Sequence, residues 1–177
     1  RDLHSFPTRR SSDLADPADV YRSENAAPAD WIMVGNHDTP TIWQLVERWQ
    51  RRGEASAQAH YLAARLAPAD ADIAALAARL AADPHHLAHA KFADIFASPA
   101  RHVQIFYADL LGEKYQYNVP GTVDDLNWSY RIPEDYAERH AARRGQRSAL
   151  DLPTALAMAL RRRDQPDSPE RAAVLAA

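Results

Sequence analysis

The chain has 177 residues, of which 46% are apolar and 25% are charged, a composition typical of a soluble globular domain with one core. The formal net charge of −3 and the scattered arginines exclude the basic face that nucleic-acid binding requires. The absence of cysteine excludes disulfides and thiolate chemistry and is consistent with a cytoplasmic protein. No apolar run approaches the ~18–20 residues that span a membrane, and no secretory leader is visible, so no membrane association is expected.

The first 14 residues differ in character from the rest of the chain. Residues 1–14 (RDLHSFPTRRSSDL) show neither helical nor strand periodicity and resemble the in-frame translation of a sequencing adapter. The alternative is a genuine disordered Ser/Arg tail. With the segment excluded as an artefact, we expect that an N-terminal portion of the protein is missing. Residues 15–30, which are polar and contain two prolines, are predicted to be a loop.

A strand, a loop and a helix are predicted next. Residues 31–35 (WIMVG) form a short continuous apolar run that Gly35 ends, a pattern typical of a strand buried on both faces. Thr39 and Pro40 are the predicted N-cap and first residue of a helix whose apolar positions recur at helical spacing until Gly53.

Residues 61–96 are predicted to be helical throughout. The Asp83-Pro84 step is predicted to end one helix and begin the next, which stops near Ser98. Residues 102–107 (HVQIFY) are predicted to be a second buried strand. Because a long helical crossover joins the two apolar strands, we expect them to be parallel strands of an α/β fold.

A long irregular segment is predicted after the second strand. Residues 110–133 are rich in Gly, Pro, Asn and Asp, and long loops inside compact domains are usually functional. Two closing helices are predicted over residues 134–145 and 152–163. Residues 164–177 are expected to be a frayed tail.

The sharpest candidate for a functional motif is GNHDTPT, residues 35–41, between the end of a predicted strand and the start of a helix. One interpretation is the Gly-Asn-His-Asp turn of dinuclear metallophosphoesterases, in which the Asn binds metal and the His steadies the phosphoryl group. Such sites also need a downstream Gly-His-x-His turn. This chain has none, because His102 starts its strand and His140 lies in a polar helix.

The other interpretation is the His-Asp pair of α-retaining glycoside hydrolases and glucanotransferases, which follows the seventh strand of their barrel. Their chemistry needs a nucleophilic carboxylate and an acid/base carboxylic acid about 5 to 5.5 Å apart, with further groups that grip the sugar hydroxyls. In this interpretation Asp38 is the transition-state stabiliser and His37 is a hydroxyl donor.

A second motif favours the glucanotransferase interpretation of the first. Residues 117–122 (YNVPGT) and 127–131 (NWSYR) resemble the Asn-x-Pro-Gly turn and the following Asn-Trp and Arg of amylomaltase-type 4-α-glucanotransferases, glycoside hydrolase family 77. The resemblance implies an α/β fold in which residues 31–163 are the C-terminal portion of an incomplete (β/α)8 TIM barrel, with a helical insertion between the last two strands. It also implies a maltodextrin or other α-1,4-glucan substrate, retaining double displacement, and no cofactor.

The second motif supplies further candidate residues. Asn118 and Asn127 are candidates for binding sugar hydroxyls, and Trp128 offers an apolar face to a pyranose ring. The alternative is that the asparagines rigidify the loop and Trp128 anchors it on the barrel. No metal site is expected, and the histidines near the Asp83-Pro84 step are predicted to lie on the solvated surface: His85, His86 and His89.

The resemblance has a consequence for activity. The nucleophilic Asp and the acid/base Glu of the family belong to its fourth and fifth strands, which would precede residue 15, so the chain is expected to be inactive alone. A third hypothesis is a non-catalytic carbohydrate-binding or interaction module. Two strands cannot close a barrel and would expose apolar edges, which argues against independent stability of such a module.

Overall fold

The computed structural model describes Leu14 and residues 16–161. The rest of the adapter-like segment and the predicted tail, residues 164–177, lie outside the described residues. The strands are β1 (Trp31–Ile32) and β2 (His102–Val103), and the helices are α1 (Ile42–Arg52), α2 (Ala55–Leu66), α3 (Ile73–Ala82), α4 (Pro84–Phe96), α5 (Tyr107–Leu110), α6 (Tyr136–Gly145) and α7 (Leu152–Leu160). None of these helices is long and apolar enough to cross a membrane.

The two strands form a parallel pair, as the sequence predicts. Trp31 pairs with His102 and Ile32 with Val103, and helices α1 to α4 lie between the strands in the chain. Both strands are shorter than the predicted apolar runs. Burial of the first strand on both faces is wrong, since Trp31 is 55% exposed and stacks on His102 with ring centroids 4.7 Å apart. Within the described residues the fold is therefore mainly helical with one two-stranded parallel sheet.

Helix α1 begins two residues later than predicted and ends where predicted. Thr41 is its N-cap and forms a capping box, in which the Thr41 hydroxyl accepts from the Gln44 backbone N–H and the Gln44 side chain accepts from the Thr41 N–H. Thr39 instead closes the preceding turn, where its hydroxyl accepts the Asn36 N–H at 2.8 Å. Gly53 ends the helix in the left-handed conformation, with a φ of 72°.

Helix α4 lies at the centre of the hydrophobic core. The predicted Asp83-Pro84 step is confirmed, because Asp83 caps this helix and its carboxylate accepts the N–H groups of His85 and His86. Helices α1, α2, α3 and α7 all pack against α4. The largest fully buried apolar side chains of this core are Phe92, Ile42, Leu62, Leu87, Leu150 and Val46.

The prediction that the histidines of α4 lie on the solvated surface is wrong for His89, which is fully buried. Its Nε2 accepts the Asp151 N–H at 2.9 Å, so its Nδ1 carries the proton and donates to the His85 carbonyl at 2.8 Å. Burial lowers the pKa of His89 to about 4. The segment before α7 covers this side chain. Because Asp151 and His89 are 62 positions apart, helical periodicity could not predict this contact.

The C-terminal part of the chain packs against the segment that follows β2. The short helix α5, which the sequence analysis missed, directly follows the strand region. Gly112 allows the close approach of residues 148–150, because its φ is 76° and an added Cβ would lie 2.0 Å from the Ser148 carbonyl oxygen. The Leu150 N–H donates to the Leu110 carbonyl at 3.2 Å. Helix α7, which begins two residues later, packs on α4.

Candidate functional site

The turn between β1 and α1 presents His37 and Asp38 at the surface. Asn36 begins the turn, and its side-chain oxygen accepts the Asp38 N–H at 2.9 Å. The Thr39 N–H donates to the Asn36 carbonyl at 3.2 Å, and the Thr39 side chain is buried. Because both flanking residues are tied back, the two side chains between them point away from the core.

The Asp38 carboxylate has a defined position although it is 37% exposed. Asn118 Nδ2 donates to Asp38 Oδ1 at 2.6 Å. The second carboxylate oxygen, Oδ2, lies 3.5 Å from His37 Nε2, and the His37 side chain is 45% exposed. The carboxylate is therefore fixed on one oxygen, while solvent or a ligand can approach the other oxygen and the imidazole.

Trp128 completes this arrangement. The Trp128 and His37 ring centroids are 4.9 Å apart with the rings tilted by 46°, and the indole is 54% exposed. The backbone of Trp128 is left-handed, with a φ of 63°, a conformation that L residues rarely adopt and that is concentrated at functional sites. A hydrogen bond of 2.8 Å from the Trp128 N–H to the Tyr117 carbonyl holds it there.

The loop after β2 is tied to the turn after β1 by backbone contacts as well. The Asn118 N–H donates to the His37 carbonyl at 2.9 Å. Gln116 Nε2 donates to the Asp38 carbonyl at 3.0 Å and to the Asn118 carbonyl at 2.9 Å. The sequence analysis missed Gln116.

Asn127 lies in the same loop but makes different contacts. Its Oδ1 accepts the Val119 N–H at 3.1 Å, and its Nδ2 lies 3.2 Å from both the carbonyl and the hydroxyl oxygens of Thr122. These bonds close the loop on itself. The structure thus brings together His37, Asp38, Asn118 and Trp128, while Asn127 braces the loop that carries two of them.

A buried acidic side chain, Asp109, lies beneath the turn, and the sequence analysis missed it. Asp109 of α5 is fully buried, and its Oδ1 accepts the Ile42 N–H at 2.7 Å at the start of α1. Burial raises the pKa of Asp109 to about 7, against the opposing effect of the Ile42 N–H. An acidic residue inside the apolar sequence FYADLL is the signal that could have identified it.

Aromatic side chains support the loop from behind. Tyr117 makes edge-to-face contacts with Phe106, Tyr107, Tyr115 and Tyr130 at centroid distances of 5.2 to 5.7 Å. The Tyr115 hydroxyl donates to the Leu126 carbonyl at 2.7 Å. Burial raises the pKa of Tyr117 to about 12, so the Tyr117 hydroxyl stays protonated in neutral solution.

Within residues 16–161, no group of three or more His, Asp or Glu side chains is arranged to hold a metal ion. A protein-family model with the description 4-alpha-glucanotransferase matches residues 5–137, a range that contains both the turn at 36–41 and the loop at 117–131. No curated protein and no solved structure matches the chain.

Proposed function

Because the chain belongs to the 4-alpha-glucanotransferase family, we propose that it is the C-terminal part of an enzyme that transfers α-1,4-glucan segments between maltodextrins. In this proposal β1 and β2 are the seventh and eighth strands of a (β/α)8 barrel, and α1 to α4 form the enlarged connection between them. The parallel pairing of the strands supports this assignment, since neighbouring strands of such a barrel are parallel. The candidate site follows the carboxyl ends of both strands, where sites of this fold are built.

The single observation that carries the proposal is the contact between the two motifs, in which Asn118 fixes one oxygen of the half-exposed Asp38 carboxylate. A carboxylate held in this way can stabilise the positive charge that develops on a sugar ring as its glycosidic bond breaks. It needs little reorganisation when that charge appears. Asp38 is the proposed transition-state stabiliser, and His37 donates a hydrogen bond to a sugar hydroxyl.

The proposal gives Trp128 the role of a platform for a pyranose ring. Its exposed indole borders His37, so a sugar stacked on it would place a hydroxyl near the imidazole. Asn118 lines the glucan site beside Asp38, and Asn127 keeps the loop in the shape that presents Trp128. The nucleophilic Asp and the acid/base Glu of double displacement belong, in this proposal, to strands that precede β1.

Glucan binding tests the site. Titration of the full chain with maltoheptaose, followed by NMR of the His37 and Asn118 side chains, should give saturable shifts. Trp128→Ala should weaken binding about fivefold or more, because a stacked aromatic ring contributes on the order of 1 kcal/mol or more. Trp31→Ala is the matched control, since Trp31 is exposed to the same extent but stacks on His102. Equal effects of the two substitutions, or no saturable binding, would contradict the proposed site.

Activity tests the assignment of the chain as one part of an enzyme. The purified chain should release no glucose from maltotriose, because a stabilising carboxylate without a nucleophile and a proton donor has no reaction to stabilise. Turnover by the purified chain, lost in Asp38→Asn, would show instead that the chain carries the full reaction.

A non-catalytic carbohydrate-binding module is the second candidate. The observation in its favour is the core that α1 to α4 and α7 close without further strands. Addition of the separately purified N-terminal barrel portion of another 4-alpha-glucanotransferase distinguishes the two candidates. Transfer that depends on Asp38 supports the enzyme, whereas maltoheptaose binding with no transfer supports the module.

A further inference from the structure

The carboxyl of Asp109 binds one end of the turn that carries His37 and Asp38 and lies near the other end. Its Oδ1 accepts the Ile42 N–H at 2.7 Å, where the turn passes into α1. Its Oδ2 faces Gly35, the residue before the turn, and would lie 3.8 Å from a Cβ added there. The side chain is fully buried, and among residues 16–161 no hydrogen-bond partner approaches Oδ2.

Two more hydrogen bonds tie the start of α1 to the same short stretch of chain. Trp43 Nε1 donates to the Asp109 carbonyl at 2.8 Å, and the Thr41 hydroxyl donates to the Glu113 carbonyl at 2.8 Å. A side chain larger than glycine at position 35 would crowd the turn, because a Cβ added there would lie 2.7 Å from the Thr39 hydroxyl oxygen. The start of α1 is thus joined by three hydrogen bonds to residues 109–113.

Stability alone does not account for an acidic residue at this position. A buried carboxyl with an unpartnered oxygen costs free energy, and an apolar side chain of similar volume is often neutral or stabilising at such sites. Burial raises the pKa of Asp109 to about 7, because the charged form of the carboxyl is unfavourable away from water. What an apolar side chain would lack is the acceptor for the first amide of α1.

We infer that Asp109 is a positioning residue of the candidate site: its carboxyl holds the first amide of α1 and so fixes the turn that presents Asp38 to Asn118. The consequence for glucan binding rests on the proposed function. The consequence for the Asn118 to Asp38 contact does not, and it can be measured separately.

The Asn118 side-chain amide resonances in NMR spectra of the full chain report that contact directly, with Asp38→Ala as the reference for its loss. Asp109→Asn retains an acceptor oxygen and should leave these resonances in place. Asp109→Leu removes the acceptor and should move them toward the reference. Asp94→Asn is the matched control, since Asp94 is equally buried but pairs with Arg65 and Lys91, so it should lower Tm without moving the resonances.

A second variant removes the same bond from the donor side, which matters if Asp109→Leu does not fold. Ile42→Pro deletes the N–H at the first helical position, where proline is tolerated, and Thr41 before it already has an extended backbone. It should move the Asn118 resonances as Asp109→Leu does, whereas Ile42→Val keeps the N–H and should not. Unchanged Asn118 resonances in folded Asp109→Leu or Ile42→Pro would overturn the inference.

Maltoheptaose titrations of the same variants separate this inference from the proposed function. Asp109→Asn should bind within about twofold of wild type, and Asp109→Leu about tenfold or more weakly, a loss on the order of 1.4 kcal/mol. If the wild-type chain binds no maltoheptaose, the proposed function fails. The Asn118 resonances then still decide whether Asp109 positions the turn.

Discussion

At the residue scale, two fixed positions of the site and two buried polar side chains stand out. Asp38 is fixed by Asn118, and Trp128 is held with a φ of 63° beside His37. His89 and Asp109 are buried where their ordinary ionised forms are unfavourable, so the pKa of His89 is lowered and that of Asp109 is raised. Each of these costs to stability can be measured by substitution.

The backbone strain at Trp128 predicts an unusual order of stability. Trp128→Gly should be more stable than Trp128→Ala by about 1 kcal/mol, because a left-handed conformation is unfavourable for alanine but not for glycine. Urea denaturation of the two variants measures the difference. At Ser129, whose φ is not positive, the glycine variant should be no more stable than the alanine variant. Equal stability of the two Trp128 variants would refute the strain.

Burial of neutral His89 predicts that acid weakens the fold. Its pKa falls from 6.5 to about 4, so the unfolded chain takes up the proton first as the pH drops. The His89 contribution is complete above pH 6.5 and is lost between pH 6.5 and 4, by at most about 3 kcal/mol. His89→Gln should flatten the dependence of the unfolding free energy on pH in this range. A wild-type slope in the His89→Gln variant would be inconsistent with a buried neutral His89.

At the element scale, the caps of α3 and α4 are chemically alike, but the two helices differ in how much core depends on them. Asp72 caps α3 and accepts the Ala75 N–H, while Asp83 caps α4 and accepts two N–H groups. Asp83 also forms an ion pair with Arg147, which joins α4 to the segment before α7. Helix α4 has eight buried residues and α3 has two.

This difference predicts unequal effects of the same substitution. Asp72→Ala should cost about 0.5 to 1 kcal/mol, as for an ordinary exposed cap, and Asp83→Ala should cost more, about 1 to 2 kcal/mol. Chemical denaturation of both variants under the same conditions provides the comparison. A smaller loss for Asp83→Ala would mean that the start of α4 does not limit the stability of the core.

At the scale of the whole molecule, the helical core and the site loop differ in burial. Helix α4 is enclosed by four other helices, whereas the loop after β2 exposes several large apolar side chains. The exposed ones are Val119, Val123, Leu126, Trp128 and Ile132. Exposed apolar surface of this kind usually marks a contact with another protein segment or a ligand.

Hydrogen exchange should reveal this division. Amides of α4 should exchange most slowly, because they open only with the core, and amides of the loop, residues 119–135, should exchange fastest within residues 16–161. Peptide-level mass spectrometry of the full chain measures both. Maltoheptaose should slow exchange in the loop and leave α4 unchanged. Loop amides as protected as those of α4 without ligand would mean that the loop belongs to the core.

The amino-acid sequence by itself determined the local features of this protein. The end of α1 at Gly53 and the Asp83-Pro84 step were predictable, because each depends on backbone chemistry within a few residues. The parallel strand pair was predictable from the long helical connection between two short apolar runs. The two motifs were also recognisable, and with them the family. The start of α1 was not, since Thr39 and Thr41 are equally suitable caps until the turn before them is known.

Only the tertiary structure decided which of these residues meet. Asn118 contacts Asp38 across 80 positions, and Asp109 contacts Ile42 across 67, so neither contact has a local pattern that could indicate it. The same holds for His89, whose burial depends on the return of the chain before α7. Periodicity along the sequence specifies which face of an element is apolar, but the partner of a polar group is decided by packing between elements that are distant in the chain.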